Sequence, residues 1–301
     1  MRCPGVSVRW LPMERSDERF FEHLTVTDRA VLERVAGEVG ADGARLRDDP
    51  AALAALLAHP GTFATLFGSP AGEALVPASP FLVFAVVVHR GWAELGERSH
   101  VREWVGVRQR LPVLSAHELR AFLDDPARRL FLTELLASYT RVASGSTWVR
   151  TRRGWRRRRW SELDPLRLAE LLEVLPETEH AGVYRRLGDL ALFLTGVFPD
   201  HIELAGVAER EARRLRTLTG VGSVTGGPGL PGSDGAVALL EQLGAGWYLA
   251  ARRRSLLPRS PGAVLLTEVA ERFAVARRTL NHLTDRYLFG HRARWFTHPA
   301  G

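Results

Sequence analysis

Seven arginines fall within residues 150–159, a segment that contains no acidic side chain. The chain has 41 basic and 34 acidic residues, so the charge of this one segment equals the formal net charge of +7. Guanidinium groups match phosphate geometry, and indole rings such as those of Trp148, Trp155 and Trp160 can stack on unpaired bases. The candidate polyanion-binding residues are Arg150, Arg152, Arg153, Trp155, Arg156, Arg157, Arg158 and Arg159.

The arginine-rich segment has more than one interpretation. β-Branched and aromatic residues on both sides of Arg153-Gly154 predict a short hairpin at 145–160. Because alternate residues of a strand share a face, we expect arginines on one face and Trp155 with other bulky groups on the opposite one. Three roles are open for such a hairpin. It binds nucleic acid, or it binds anionic protein or lipid surfaces. Alternatively it is a solvated connection, a hairpin that only links two helices, with its arginines in water and its tryptophans covering the neighbouring helices. No helix-turn-helix, zinc-finger or RNA-binding signature accompanies it.

Glu177 and His180 are the candidate metal ligands. Their Glu-x-x-His spacing presents both groups to a metal from one helix, as in di-iron bundles. Pro176 places the pair at a helix start, however, where the macrodipole already favours acidic residues, and helix capping is the simpler explanation. We expect no bound metal and no cofactor.

Catalytic motifs are not evident in the sequence. The Gly/Pro-rich segment 219–235 lacks the lysine of a phosphate-binding loop, and no Gly-x-Ser-x-Gly elbow occurs. Cys3 is the single cysteine, which excludes an intrachain disulfide and a cysteine zinc cage. We expect no catalytic residues.

The composition is that of a globular protein, with 46% hydrophobic and 25% charged residues in 301. The most apolar run, 81–88, has eight residues, whereas a membrane-spanning helix needs about 20. The first residues lack the apolar core of a signal peptide. These features predict a soluble, cytoplasmic protein.

Helix start signals recur along the chain. Asp49, Ser79, Asp125 and Asp164 each precede a proline suited to a first helical turn, and Ser115 begins a capping box with Glu118. We expect helices at about 28–38, 50–58, 80–97, 116–124, 126–143, 165–175, 178–198, 205–218, 236–254, 262–272 and 273–289. The sequence thus predicts an all-α fold with one short Arg/Trp-rich β-hairpin.

The predicted helices differ in the faces they offer. Residues 183–198 form the best amphipathic stretch, with Asp189 opposite the apolar stripe. Asp189 lies one turn after Arg185, so we expect an i,i+4 ion pair between them. Phe273, Ala276, Leu280, Leu283 and Tyr287 form a seam at 273–287 for another helix or a protein partner. The loop 219–235 divides a helical body, 1–218, from a C-terminal helical segment, 236–301, which is either separate or packed into the same core.

Three stretches resemble uncharacterised, largely helical bacterial proteins: S-P-F-L-V-F-A-V-V-V-H-R at 79–90, Y-R-R-L-G-D-L-A-L-F-L-T-G-V-F-P-D at 184–200, and A-R-R-T-L-N-H-L-T-D-R-Y-L-F at 276–289. The resemblance covers about a third of the chain and consists mostly of packing residues. It implies kinship of fold and no particular chemistry. It also implies a hairpin less rich in arginine in those proteins, which favours the solvated connection.

Three hypotheses about function follow. The first is a non-catalytic interaction or regulatory protein of helical fold. The second is nucleic-acid or polyanion binding through the 150–159 hairpin. The third is a helical metal or cofactor enzyme that uses His180 and Glu177, which requires at least three His, Asp or Glu side chains to converge.

Overall fold

The computed structural model describes residues 19–68, 78–141, 144–151, 154–207, 209–222, 235–257, 259–288 and 295–296, with the backbone alone for Arg19, 144–160 and Glu209. The all-α class is confirmed, and the Arg/Trp-rich segment forms a β-hairpin as expected. The chain forms two compact units. The first unit is Met1–Glu14, Ala143–Leu192 and Gly206–Phe273; the second unit is Arg15–Val142, Phe193–Ala205 and Ala274–Gly301.

The elements follow one another in this order. Helices before the first hairpin are α1 (Arg19–His23), α2 (Val26–Glu38), a 3₁₀ turn (Gly43–Arg47), α3 (Pro50–Ala58), α4 (Pro60–Phe67) and α5 (Pro80–Leu95). The middle of the chain has β1 (Val101–Gly106), β2 (Gln109–Val113), α6 (Ala116–Leu123), α7 (Pro126–Ser138), β3 (Ser144–Thr151), β4 (Gly154–Ser161), α8 (Pro165–Ala169) and a 3₁₀ turn (Glu170–Glu173). The remainder is α9 (Glu177–Val197), α10 (Pro199–Ala205), α11 (Glu209–Thr219), α12 (Ala236–Arg254), α13 (Pro261–Glu271), α14 (Phe273–Leu283) and a π-helical turn (Thr284–Leu288).

Most helix starts are those that the capping signals predict. The side chains of Asp49, Asp125 and Asp164 accept hydrogen bonds from backbone N–H groups in the first turns of α3, α7 and α8, and Ser79 does the same for α5. Each cap satisfies donors that the first turn leaves without an intrahelical partner.

The capping box predicted at Ser115 is wrong, although α6 does begin at Ala116. The Ser115 side chain makes no cap hydrogen bond and instead donates its hydroxyl to Glu103. The Glu118 carboxylate accepts a hydrogen bond from Arg278 at 2.7 Å rather than from the helix backbone. Long-range charged partners therefore replace the local cap.

The apolar run 81–88 is a helix, as expected, and lies at the centre of the second unit. Every residue from Phe81 to Val88 is buried in α5, which packs against α3 and α7. A run that is buried on all sides needs no amphipathic stripe, which is why periodicity alone does not distinguish it from a strand.

A second hairpin, β1–β2, was not predicted from the sequence. Its register pairs Val101 with Val113 and Trp104 with Arg110, and shifts before Gly106 and Gln109. Arg108 in the turn has φ of 57°, in the left-handed region that non-glycine residues seldom adopt. The fold thus contains this hairpin in addition to the Arg/Trp-rich one.

The seam predicted at 273–287 as a partner surface is covered by the chain itself. All five of its residues are buried. A Cβ at Gly244 would lie 2.5 Å from the Phe273 ring, and one at Gly91 would lie 2.2 Å from Leu283. Glycine at these two sites lets the Phe273 and Leu283 side chains lie directly against the neighbouring helix backbones. Because the chain itself covers this face, the face is not free for another protein.

The predicted division of the chain at 219–235 stays a prediction, because residues 223–234 lie outside the described part. The C-terminal segment contributes to both compact units, 236–273 to the first and 274–301 to the second.

Within the described ranges, no single helix is long and apolar enough to cross a membrane. Helices α3 and α4, bent by 57° relative to each other, pass that test of length and composition only as a pair.

Candidate nucleic-acid interface

The Arg/Trp-rich hairpin belongs to the first unit and is a regular antiparallel ribbon. Its register runs from Ser144 opposite Ser161 to Thr151 opposite Gly154 without a bulge. Eight residues per strand at about 3.3 Å each give a ribbon roughly 26 Å long. Arg152 and Arg153, two of the candidate residues, lie between the strands and outside the described residues.

The register corrects the expected division of the ribbon into an arginine face and a bulky face. Residues directly opposite each other share a face, and so do alternate residues along a strand. Trp148 pairs with Arg157, and Arg150 pairs with Trp155. The first face thus holds Trp148, Arg150, Trp155, Arg157 and Arg159, and the second holds Arg156, Arg158 and Trp160. Both faces carry arginine and tryptophan, because consecutive arginines in β4 must alternate between them.

A helix that packs on the ribbon's neighbour α8 carries further cations. Helix α8 packs against β4, and α11 packs against α8. Helix α11 buries Ala212 and Leu215 and exposes Arg210, Arg213 and Arg214. Arg214 forms an ion pair with the buried Glu170, so its charge is partly balanced. Sequence reasoning missed this helix as a basic element, although the spacing of its arginines at 210, 213 and 214 is visible.

The excess positive charge lies entirely in the first unit. That unit contains 21 arginines and 14 carboxylate side chains, an excess of seven. The second unit contains 20 of each and is formally neutral. The formal positive charge of the chain is therefore concentrated in the unit that carries the ribbon.

Comparison with models of protein families, with curated proteins and with solved structures finds no match for this chain. Function must therefore be inferred from the geometry of the chain.

The candidate metal pair lies at a helix start. Glu177 is the first residue of α9, and the His180 imidazole lies 3.0 Å from the carbonyl oxygen of Leu175. The sequence holds a second Glu-x-x-His, from Glu97 to His100, but both residues are exposed in the turn after α5 and not on a helix. Among the described residues, no group of three or more His, Cys, Asp or Glu side chains is placed to hold a metal ion.

A charged cluster in the second unit was missed from the sequence. The Arg110 guanidinium donates to Asp285 at 2.6 Å and to Asp200 at 3.2 Å. Asp200 also accepts from the Trp104 indole at 2.7 Å and from the Arg108 backbone at 2.9 Å. Burial opposes ionisation of Asp200, but the donors from Arg110, Arg108 and Trp104 together hold its pKa below the ordinary value.

A neighbouring cluster joins β1 to α14. Arg278 donates to both oxygens of Glu103 at 2.6 and 2.7 Å, a bidentate pair. Despite burial, Arg278 and Ser115 keep the pKa of Glu103 low. In both clusters one guanidinium links two carboxylates from different elements, which fastens the β1–β2 hairpin to the helices around it. Their members lie up to 175 residues apart, so no local motif reveals them.

Two histidines of the second unit are buried in neutral form. Burial, with Arg129 nearby, lowers the pKa of His89 to about 3, and its Nδ1 lies 2.8 Å from the Ala85 carbonyl oxygen. Burial also lowers the pKa of His282 to about 4, assisted by Arg98 and Arg286.

Asp189 is buried, which corrects its expected position opposite the apolar stripe. It accepts a hydrogen bond from the Tyr248 hydroxyl at 2.9 Å, and burial raises its pKa. The expected ion pair with Arg185 is present, at 3.9 Å.

Proposed function

We propose that this protein binds nucleic acid through the β3–β4 ribbon and prefers single strands. The observation that supports the proposal is the register, which puts Trp148 and Trp155 on the same face as three arginines. Cations that follow a phosphate backbone, interleaved with aromatic rings that accept bases, are the combination used by single-strand-binding surfaces.

The charge distribution supports the same proposal. The unit that contains the ribbon holds the whole charge excess, and α11, which packs on α8 beside β4, exposes further arginines. Phosphate contacts position a strand without reading its sequence, so we expect little sequence preference. Nucleic-acid binding makes the chain a non-catalytic interaction protein, which is the first of the three hypotheses drawn from the sequence.

The test is fluorescence anisotropy with labelled single-stranded and duplex oligonucleotides over a salt series. We expect the affinity of the parent for single strands to fall steeply with salt, because bound cations release counterions. Replacing Arg156, Arg157, Arg158 and Arg159 with glutamine should reduce the slope of log K against log salt by about 3, at about 0.7 per lost contact. Trp155→Ala should cost ~1–3 kcal/mol on single strands and less on duplex.

A matched control separates the ribbon from general charge. Arg34, Arg45, Arg47 and Arg102 are exposed in the neutral second unit, and their replacement with glutamine removes the same net charge. We expect this control to bind nearly as the parent does. Equal weakening by both quadruple variants, or no binding by the parent at low salt, would show that the ribbon is a solvated connection.

A further inference from the structure

The loop between α12 and α13 presents two leucines to solvent. Leu256 is 84% exposed and Leu257 is 70% exposed, and Val264 in the first turn of α13 is 48% exposed. Exposed apolar surface is unfavourable in water by about 25 cal/mol per Å², so two adjacent leucines at a loop contribute nothing to the stability of the chain. Side by side, they form a small apolar patch that packing within the chain does not account for.

Arginines lie on both sides of the leucines. Arg252, Arg253 and Arg254 are exposed in the last turn of α12, and Arg259 is exposed two residues after Leu257 in the same loop. No acidic residue occurs from 252 to 260. Arg254 lies 4.6 Å over the Tyr184 ring, whereas no carboxylate among the described residues is within ion-pair distance of Arg252 or Arg253. The helix macrodipole explains cations at this position but not the leucines.

The chemistry of the loop selects among anionic partners. Phosphate backbones offer no apolar surface to aliphatic side chains. A stable protein interface buries about 800 Å² on each partner, which two leucines and a valine cannot supply. A bilayer surface needs only a few apolar side chains at the acyl boundary and basic residues at the headgroups.

We infer that the loop 255–257, with Arg252 and Arg253, docks the first unit on anionic lipid surfaces. Leu256 and Leu257 enter the headgroup–acyl boundary while the arginines contact acidic headgroups. The inference is independent of nucleic-acid binding by the ribbon, because it uses different residues and adds an apolar contact.

The first test is co-sedimentation of the full chain with vesicles of phosphatidylcholine and phosphatidylserine, and with phosphatidylcholine alone. We expect binding to the anionic vesicles only. Leu256→Ser with Leu257→Ser should lower the partition coefficient about tenfold, and Arg252→Gln with Arg253→Gln about fivefold per residue. The matched control is Leu114→Ser with Leu204→Ser, exposed leucines of the second unit, which should leave partitioning unchanged.

The second test separates insertion from adsorption through the arginine ribbon. In a Cys3→Ser background, Leu257→Cys provides a single site for an environment-sensitive fluorophore. We expect a blue shift with anionic vesicles and quenching by lipid-borne quenchers. A bound protein whose label does not shift, a double-serine variant that partitions like the parent, or a parent that does not bind the vesicles would each overturn the inference.

Discussion

The neutral buried state of His89 makes the stability of the protein depend on pH. Its ring is 2% exposed, lies edge-on to Phe20 with centroids 5.0 Å apart, and has a pKa of about 3 against the ordinary 6.5. Between these values the unfolded chain takes up a proton that the folded chain excludes. The stability that the neutral His89 contributes is therefore fully present above pH 6.5 and is lost progressively as the pH falls towards 3.

The size of the effect follows from the pKa difference. Each pH unit below 6.5 costs about 1.4 kcal/mol, so His89 lowers the free energy of unfolding at pH 5 by about 2 kcal/mol relative to pH 8. His282, with a pKa of about 4 and 7% exposed, contributes a similar loss. His89→Gln keeps a polar, neutral side chain at this position and removes the titration. The variant should therefore show about 2 kcal/mol less difference between the two pH values.

The assay is urea unfolding of parent and variant at pH 8 and pH 5, with NMR titration of the imidazole as a direct check. Comparing two pH values within one variant cancels any packing cost that is independent of pH. Val88→Ala, at a fully buried neighbour, should lower stability at both pH values and leave their difference intact. An unchanged difference in His89→Gln, or an imidazole signal that titrates near 6.5, would refute the reasoning.

Two further predictions concern packing and the charged cluster. Gly188→Ala should lower the free energy of unfolding by about 1–2 kcal/mol, because the added Cβ would lie 2.6 Å from the buried Tyr248 ring. Gly37→Ala should instead raise the free energy of unfolding by up to about 1 kcal/mol, because nothing lies within 4 Å of its added Cβ. Thermal unfolding of both variants checks this contrast. Asp200→Asn should cost about 1–2 kcal/mol at pH 7 because Arg110 loses a charged acceptor. Since the folded pKa of Asp200 lies below 3.8, that cost should shrink as the pH falls below this value, which urea unfolding at several pH values measures.

Local sequence was sufficient for the parts of the fold that depend on neighbouring residues. A capping oxygen before a proline acts within one turn, and it correctly marked the starts of α3, α5, α7 and α8. The Arg/Trp-rich hairpin was predicted because strand propensity and its turn lie within 18 residues. The confinement of the charge excess is likewise a property of the sequence alone.

Only the tertiary structure decided which polar groups are buried and what they contact. On a helical wheel Asp189 lies opposite the apolar stripe, yet the structure buries it. Tyr248, 59 residues away, packs closely over Gly188, and its hydroxyl donates a hydrogen bond to the Asp189 carboxylate. The ion pairs of Arg110 and Arg278 join residues 90 to 175 positions apart. Such contacts form only when packing brings distant elements together, and a single charged residue has no local pattern that names its partner. The seam at 273–287 shows the same limit, since the sequence marked an apolar face and the fold determined that the chain itself covers it.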